Sequence, residues 1–165
     1  MGEGRVTIAI QWPLMGGVSV SFPDFLKKFI GISTVAVESK ADVWSDRTLP
    51  PWINPLIEQF QRVLALNEGW DGASARPITS DALATALTVL EETMAWDTLA
   101  PKVVPVTDGG IQLEWHCAGV DLEVYVDSGG RVSAWCREGS REWEEDFYPR
   151  SRLRKELSLL SNAFC

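Results

Sequence analysis

The chain has 165 residues, is 45% hydrophobic and carries a formal net charge of -8. This length suits one soluble domain, and no segment reaches the roughly 20 apolar residues that a membrane span requires. The acidic balance argues against direct nucleic-acid binding, because that affinity comes mainly from Lys and Arg side chains that neutralise phosphates. We therefore expect neither a membrane nor a nucleic acid as partner.

The N-terminal region is predicted to be an extension of the main domain. Val6–Ile10 and Val18–Phe22 are apolar or alternating stretches on either side of a Pro- and Gly-containing loop, which is typical of a hairpin. Asp24 then precedes an apolar stretch that favours a short helix. We assign residues 1–50 to this N-terminal extension and residues 51–165 to an α+β core domain.

Cysteine usage and the N-terminus bear on the cellular compartment. The three cysteines Cys117, Cys136 and Cys165 are odd in number and widely spaced, which favours reduced thiols over a disulfide framework. Pro13 and Gly16–Gly17 interrupt the only apolar run that a signal peptide could use. We therefore expect a cytoplasmic protein.

Two amphipathic helices follow the extension. Asn54 and Pro55 predict a helix start, as N-cap and first helical residue, because proline there loses no required donor. This helix is expected to run from Leu56 to about Leu66. Thr79 is expected to cap the second helix, and the two helices, spanning Asn54 to about Trp96, to pack as a pair. The second helix has an apolar stripe at helical spacing: Leu83, Ala86, Leu87, Leu90 and Met94.

A turn of sequence Gly69-Trp70-Asp71-Gly72 joins these helices. Gly69 is placed to end the first helix, and both glycines suit the backbone geometry of a tight turn. A tryptophan here is typically a plug of the hydrophobic core. The aspartate side chain is expected to accept hydrogen bonds from nearby backbone amides. We therefore interpret these four residues as a structural turn.

After Pro101 the hydrophobic period changes from helical to two. This change predicts an antiparallel meander of about four strands, with one face against the helices and the other toward water or a partner. Gly-containing turns separate the four stretches, which are Lys102–Val106, Ile111–His116, Val120–Asp127 and Arg131–Arg137.

The C-terminal part is dominated by charge. An acidic run from Glu138 to Asp146 contains Trp143, and a basic run from Arg150 to Lys155 follows it. Both runs are typical of solvated surface. Leucines at helical spacing after Ser151, a suitable N-cap, predict a short C-terminal helix.

The turn motif and the start of the meander together resemble a known family. Four short motifs resemble those of an uncharacterised family of small bacterial and phage-borne proteins. They are Gly69-Trp70-Asp71-Gly72, Ala75-x-Pro77-Ile78, Gly109-Gly110-Ile111-Gln112-Leu113-Glu114-Trp115 and Leu122-Glu123-Val124. The likeness covers roughly residues 51–127. It implies a shared fold and brings no activity, cofactor or catalytic residue.

Motifs of the common enzyme classes are absent from the sequence. It contains no phosphate-binding glycine loop, no dinucleotide fingerprint, no nucleophile elbow and no Cys-x-x-Cys pair. His116 is the only histidine, and its neighbour Cys117 would point to the opposite face of a strand. We therefore predict no catalytic residue, no metal site and no cofactor.

The strongest candidate site is a pair of carboxylates. If the turn at Ala118 sets His116 opposite Asp121, then Glu114 lies opposite Glu123, and like charges so placed destabilise a sheet unless something compensates. Compensation could come from an arginine such as Arg137 or Arg76, a shared proton, a divalent cation or a basic partner. The same register gathers one polar patch: Glu114, His116, Glu123, Tyr125 and Trp135.

Three classes of function fit these features. The first is a non-enzymatic interaction protein of the antitoxin, immunity or antiviral-defence accessory kind, which binds a protein partner with a basic surface through the polar patch and Trp143. The second is an acidic inhibitor that imitates nucleic acid, such as an anti-restriction or anti-CRISPR protein. The third is a hydrolase that uses Glu114 and Glu123 as its paired carboxylates. The missing catalytic motifs favour the first class.

Overall fold

A computed structural model describes residues 50–160, and the hairpin and short helix expected before residue 50 lie outside this part of the chain. The described part is α+β, as the sequence predicts. Its helices are α1 (Ile53–Leu64), α2 (Ser80–Thr93) and α3 (Arg150–Leu159). Its strands are β1 (Lys102–Pro105), β2 (Ile111–Cys117), β3 (Val120–Val126), β4 (Val132–Glu138) and β5 (Arg141–Glu145).

The five strands form one antiparallel meander in the order β1-β2-β3-β4-β5. The last strand, β5, was predicted only as a charged run, so the sheet has one strand more than expected. Trp143 is the single buried residue of β5, and charged side chains surround it in the sequence. One apolar residue among charges gives almost no alternating signal, which is why the pattern did not indicate a strand.

The turn between β2 and β3 sets the register of the sheet. Ala118 (φ 51°) and Gly119 (φ 81°) both lie in the left-handed region, as a type I′ two-residue turn requires. Cys117 therefore pairs with Val120, and Glu114 with Glu123. Counting from this turn, Glu114 and Glu123 form a non-hydrogen-bonded pair, in which Cα atoms are only about 4.5 Å apart and side chains are closest.

Helix α1 begins at Ile53, slightly before the predicted N-cap at Asn54. Trp52 precedes it without a side-chain cap, and both Trp52 and Ile53 are buried. Core packing therefore sets the start of this helix, and Pro55 is tolerated because first-turn amides have no intrahelical acceptor. The Trp52 indole nitrogen donates to Ala95 O at 2.8 Å, which ties the start of α1 to the end of α2.

Helix α2 starts as predicted, since Thr79 Oγ1 accepts from the amide of Ala82 at 3.1 Å. The predicted stripe from Leu83 to Met94 is buried in the same core as the apolar face of the sheet. The helix pairing differs from the prediction: α2 packs mainly on α3 and on β2 and β3, whereas α1 lies along β1. The C-terminal helix α3, which was not part of the predicted helix pair, completes the helical layer on the apolar face of the sheet.

The start of α2 also explains the glycines before β2. Thr79 N donates to Gly109 O at 3.0 Å, and Thr79 Oγ1 donates to Ser128 O at 2.8 Å. A Cβ added at Gly109 would lie 2.8 Å from Pro77 O, and one added at Gly110 would lie 2.5 Å from Val126 O. The chain therefore needs glycine where the helix start meets the turns of the sheet.

The turn from Gly69 to Gly72 is organised by Asp71, as predicted. Asp71 Oδ1 accepts from Ala73 N at 2.9 Å and from Ala75 N at 3.1 Å, and these bonds lower the pKa of Asp71. Gly69 (φ 73°) and Gly72 (φ 83°) both take left-handed conformations. Trp70 is only partly buried, so it covers the turn and donates to Arg76 O rather than plugging the core.

The C-terminal helix and the cysteines differ from expectation in detail. Helix α3 begins at Arg150 after Pro149, one residue before the predicted cap at Ser151. Cys136 is a free buried thiol, and burial raises its pKa to about 11. Cys117 is disulfide-bonded, so the expectation of reduced thiols is wrong for this residue. Among residues 50–160, no helix has the length and apolar character to cross a membrane.

Candidate functional site

The sheet has one face turned away from the helices, which we call the polar face. Side chains alternate along each strand, so every second residue of β2, β3 and β4 contributes to this face while the intervening residues enter the core. Lys102 of β1 and Glu142 and Glu144 of β5 extend it to the two edges. The central residues are Gln112, Glu114, His116, Asp121, Glu123, Tyr125, Ser133, Trp135 and Arg137.

The predicted carboxylate pair lies at the centre of this face. Glu114 is directly opposite Glu123, and Trp135 is opposite Glu123 on the other side, as the predicted register requires. Nε2 of Gln112 lies 3.2 Å from Glu114 Oε1 and 2.9 Å from Glu123 Oε2. One neutral amide group therefore donates to both carboxylates, a bridge that the sequence did not indicate.

The two carboxylates differ in their cationic neighbours. Glu114 Oε2 lies 3.3 Å from Lys102 Nζ and 3.6 Å from His116 Nε2. The side chain of Lys102 is 69% exposed, so solvent screens its interaction strongly. Among the described residues, no cation reaches ion-pair distance of Glu123, whose carboxylate is held by the Gln112 amide. The negative charge of Glu123 is therefore the less compensated of the two.

A chain of alternating charges runs from Glu114 toward the far strand. His116 Nδ1 lies 2.9 Å from Asp121 Oδ1, and Arg137 Nη2 lies 2.7 Å from Asp121 Oδ2. The hydrogen bond to Asp121 raises the pKa of His116, with a further contribution from Glu114. Hydrogen bonds from His116 and Arg137 lower the pKa of Asp121. His116 is thus a sheet-surface histidine whose protonated form is stabilised on both sides.

Trp135 connects this network to β5. The Arg137 guanidinium lies over the Trp135 ring, 5.5 Å from its centroid. The indole nitrogen of Trp135 donates to Glu142 Oε1 at 2.7 Å. Arg137, which was considered as a partner for the carboxylate pair, is instead held by Asp121 and Trp135. The ring is partly exposed and is fixed in place from both sides.

Tyr125 marks the other end of the polar face. Its hydroxyl donates to Asp108 Oδ2 at 2.8 Å, and Asp108 lies in the turn before β2. Burial together with Asp108 raises the pKa of Tyr125 to about 12. The hydroxyl therefore stays protonated at neutral pH. It acts as a donor that fixes the turn and has no role in the carboxylate pair.

Trp143 does not belong to the polar face. It is 7% exposed and points into the core, with the Arg152 guanidinium 4.2 Å from its ring centroid. Its indole nitrogen is buried and has no hydrogen-bond partner among residues 50–160. The acidic neighbours of Trp143 suggested an exposed tryptophan, but the alternation of β5 turns Glu142 and Glu144 outward and Trp143 inward. The predicted partner-binding role of Trp143 therefore loses its structural basis.

The sequence analysis did not single out several residues that make contacts at the site, among them Lys102, Gln112, Asp108 and Glu142. Gln112 lies two residues before Glu114 on the same strand, so its place on the polar face follows from alternation alone. Its contact with both carboxylates depends on side-chain rotamers, which no sequence pattern reports. Lys102 lies opposite Glu114, but that pairing depends on the irregular turn between β1 and β2.

Comparisons with known proteins leave the site to be interpreted from its geometry. No family model, no curated protein and no solved structure matches this chain. Within the described range, no group of three His, Cys, Asp or Glu side chains is arranged to hold a metal ion. A surface pocket of about 730 Å³ lies between the end of β5 and the first turn of α3, and neither Glu114 nor Glu123 lines it.

Proposed function

We propose that this chain is a non-enzymatic interaction protein of the antitoxin, immunity or defence-accessory kind. The polar face of its sheet binds a basic surface of a partner protein, and no chemistry is performed there. The observation that carries the proposal is the carboxylate of Glu123, which faces Glu114 and has no cation within ion-pair distance in the part of the chain that the structure describes. A lysine or arginine from a partner is the group that this arrangement lacks.

The geometry favours recognition over catalysis. Glu114 and Glu123 are bridged by the Gln112 amide on an open sheet face, and the pocket near α3 is lined by other residues. A paired-carboxylate hydrolase needs a cleft that holds a substrate between its acids. A sheet face that presents a fixed aromatic ring, Trp135, offers the residue type that most often anchors a protein interface, and the acidic groups beside it would select a basic partner.

The acidity of the face also fits charge-steered association. The chain carries a net charge of -8, and complementary charges speed encounter with a basic partner. Salt screens such charges over about 10 Å at 0.1 M ionic strength. We therefore expect the association rate constant to fall as salt rises, with a smaller change in the dissociation rate constant.

The test begins with co-purification of the full chain together with the product of a neighbouring gene, followed by calorimetry on the purified pair. Glu114→Gln and Glu123→Gln are introduced together, and binding is expected to weaken about tenfold to a hundredfold if the pair is a desolvated contact. Binding of this double variant with the wild-type dissociation constant would exclude the polar face.

A matched control separates the local effect from the change in net charge. Glu58→Gln and Glu68→Gln together remove the same two charges from exposed positions on α1 and in the following loop. This control is expected to change the dissociation constant less than twofold at moderate salt. Turnover of any substrate that the Glu114 and Glu123 double variant abolishes would instead move the protein to the enzyme class.

A further inference from the structure

The two edges of the sheet are finished in different ways. At the β1 edge, Val103 N donates to Gln59 Oε1 at 2.8 Å, and Gln59 Nε2 donates to Pro101 O at 2.9 Å. Pro105 has no amide hydrogen to offer. Neither Val103 nor Pro105 therefore has an N–H that could donate to an added strand, which disfavours strand addition at this edge.

Within residues 50–160, no strand pairs with the outer side of β5. A two-residue turn, Gly139–Ser140, joins β4 to β5 and pairs Glu138 with Arg141. In such a hairpin the residues that flank the turn are a hydrogen-bonded pair, so alternate residues Arg141, Trp143 and Glu145 bond to β4. The backbone N–H and C=O groups of Glu142 and Glu144 therefore point away from the sheet. No hydrogen bond to these groups exists within residues 50–160.

The side chains at this edge decide what kind of strand it accepts. Glu142 and Glu144 both lie on the polar face, opposite Arg137 and Trp135 of β4, and among the described residues no cation comes within ion-pair distance of either carboxylate. Residues directly opposite each other on antiparallel strands have close side chains, and opposite charges there are favourable. A strand with Lys or Arg at two alternate positions would match both glutamates.

The same charges disfavour a second copy of this chain. Antiparallel self-pairing that uses both outward residues would set Glu142 of one copy opposite Glu144 of the other. Like charges directly opposite destabilise a strand pair, and charged edge residues are a common way to prevent self-association. The charges of this edge therefore disfavour pairing with a second copy of the chain and favour pairing with a basic strand.

We propose that an extended basic segment of the partner adds to β5 as a sixth, antiparallel strand, with alternate Lys or Arg side chains opposite Glu142 and Glu144. This inference rests on the proposed function, because the added strand would continue the polar face that binds the partner. The backbone of Glu142 and Glu144 supplies the hydrogen bonds and their carboxylates supply the selectivity.

The test uses the isotope-labelled full chain and a short synthetic peptide of alternating lysine and valine. Amide exchange at Glu142 and Glu144 is expected to be fast in the free chain and to slow when peptide is added at about 1 mM. A peptide of alternating glutamate and valine is the control and is expected to leave both amides unchanged. Slow exchange in the free chain would overturn the inference, since the edge would already be occupied by this chain or a second copy.

Two variants separate the charge from the backbone hydrogen bond. Glu144→Gln removes only the charge and is expected to weaken peptide binding severalfold. Glu144→Pro also removes the outward N–H, which takes no part in the ladder with β4, and is expected to weaken binding about tenfold further. Equal binding by these two variants would contradict strand addition.

A second arm leaves the protein unchanged. Methylation of the lysine backbone nitrogens removes the N–H groups that face β5 and is expected to abolish binding, whereas methylation of the valine nitrogens alters groups that face solvent. If both methylated peptides bind alike, or if no peptide binds, the inference fails. The proposed function can survive a failure of this inference. It stands if no peptide binds at the β5 edge but the double variant Glu114→Gln and Glu123→Gln still weakens binding of the co-purified partner.

Discussion

Glu114 and Glu123 face each other across β2 and β3, and a single nitrogen, Nε2 of Gln112, lies within hydrogen-bonding distance of both carboxylates. The two carboxylates nonetheless differ in charge compensation, because only Glu114 also has Lys102 and His116 within 4 Å in the described part of the chain. Removal of either charge relieves the same repulsion, but only removal of Glu114 also loses favourable ion pairs. The inequality can be measured as a difference in stability.

We therefore expect Glu123→Gln to raise the free energy of unfolding and Glu114→Gln to leave it unchanged or slightly lower. The difference between the two variants should be about 0.5 kcal/mol, as is typical of partly exposed charges. Urea denaturation at neutral pH and low salt measures it. Equal free energies of unfolding of the two variants would show that Lys102 and His116 do not stabilise the charge of Glu114 more than that of Glu123.

The pKa of His116 is expected to lie above the usual histidine value, because Asp121 and Glu114 stabilise its protonated form. Since the folded-state pKa is raised, the stabilisation is fully present below the unfolded value of about 6.5 and is lost as pH rises through the folded value. His116→Gln should therefore reduce stability below pH of about 6 and have little effect well above the folded pKa. The ring is half exposed, so the effect should be about 0.5 kcal/mol at most.

This prediction is simple to check because His116 is the only histidine of the chain. A nuclear magnetic resonance titration of the ring gives its pKa directly. Asp121→Asn should move that pKa back toward about 6.5, since the principal cause of the shift is removed. An unchanged pKa in Asp121→Asn would contradict the role given to this contact.

The sequence was sufficient to predict the strand pairing at the centre of the site, but not the side-chain contacts made there or the position of Trp143. A two-residue turn at Ala118 and Gly119 was one of the registers that the sequence allowed, and the structure has that register, with Glu114 opposite Glu123. The role of Trp143 could not be inferred, because its charged neighbours conceal the alternation of β5. Gln112 was missed for another reason: its reach to both carboxylates is a property of side-chain conformation.

Trp143 and Trp115 provide a matched pair of substitutions. Both rings are buried, but the Trp115 indole nitrogen donates to Leu99 O at 2.8 Å, whereas the Trp143 indole nitrogen has no hydrogen-bond partner in the described part of the chain. Trp115→Phe therefore leaves a cavity and an unsatisfied carbonyl, while Trp143→Phe leaves a cavity but removes an unsatisfied donor. We expect Trp115→Phe to cost about 1–2 kcal/mol more in thermal or urea unfolding. An equal cost would imply that the Trp143 nitrogen is satisfied in solution.

Replacement of the bridging amide by a cation separates folding from binding. In Gln112→Lys an ammonium group would lie near both carboxylates, and it should supply the positive charge that we assign to the partner. The free energy of unfolding should rise by about 0.5–1 kcal/mol, because two partly buried carboxylates gain a nearby cation. Binding of the co-purified partner should weaken about tenfold, because its lysine or arginine would meet a site that is already compensated.

The control for this variant is Gln112→Met, which removes the amide without adding charge. This variant should lower the free energy of unfolding, because Glu114 and Glu123 lose their shared hydrogen-bond donor. It should not weaken binding of the partner, because the uncompensated negative charge is kept or increased. Urea denaturation and calorimetry on the same preparations give both quantities. If Gln112→Lys stabilises the fold while the partner binds with unchanged affinity, the carboxylate pair is a structural feature of the sheet and the partner binds elsewhere.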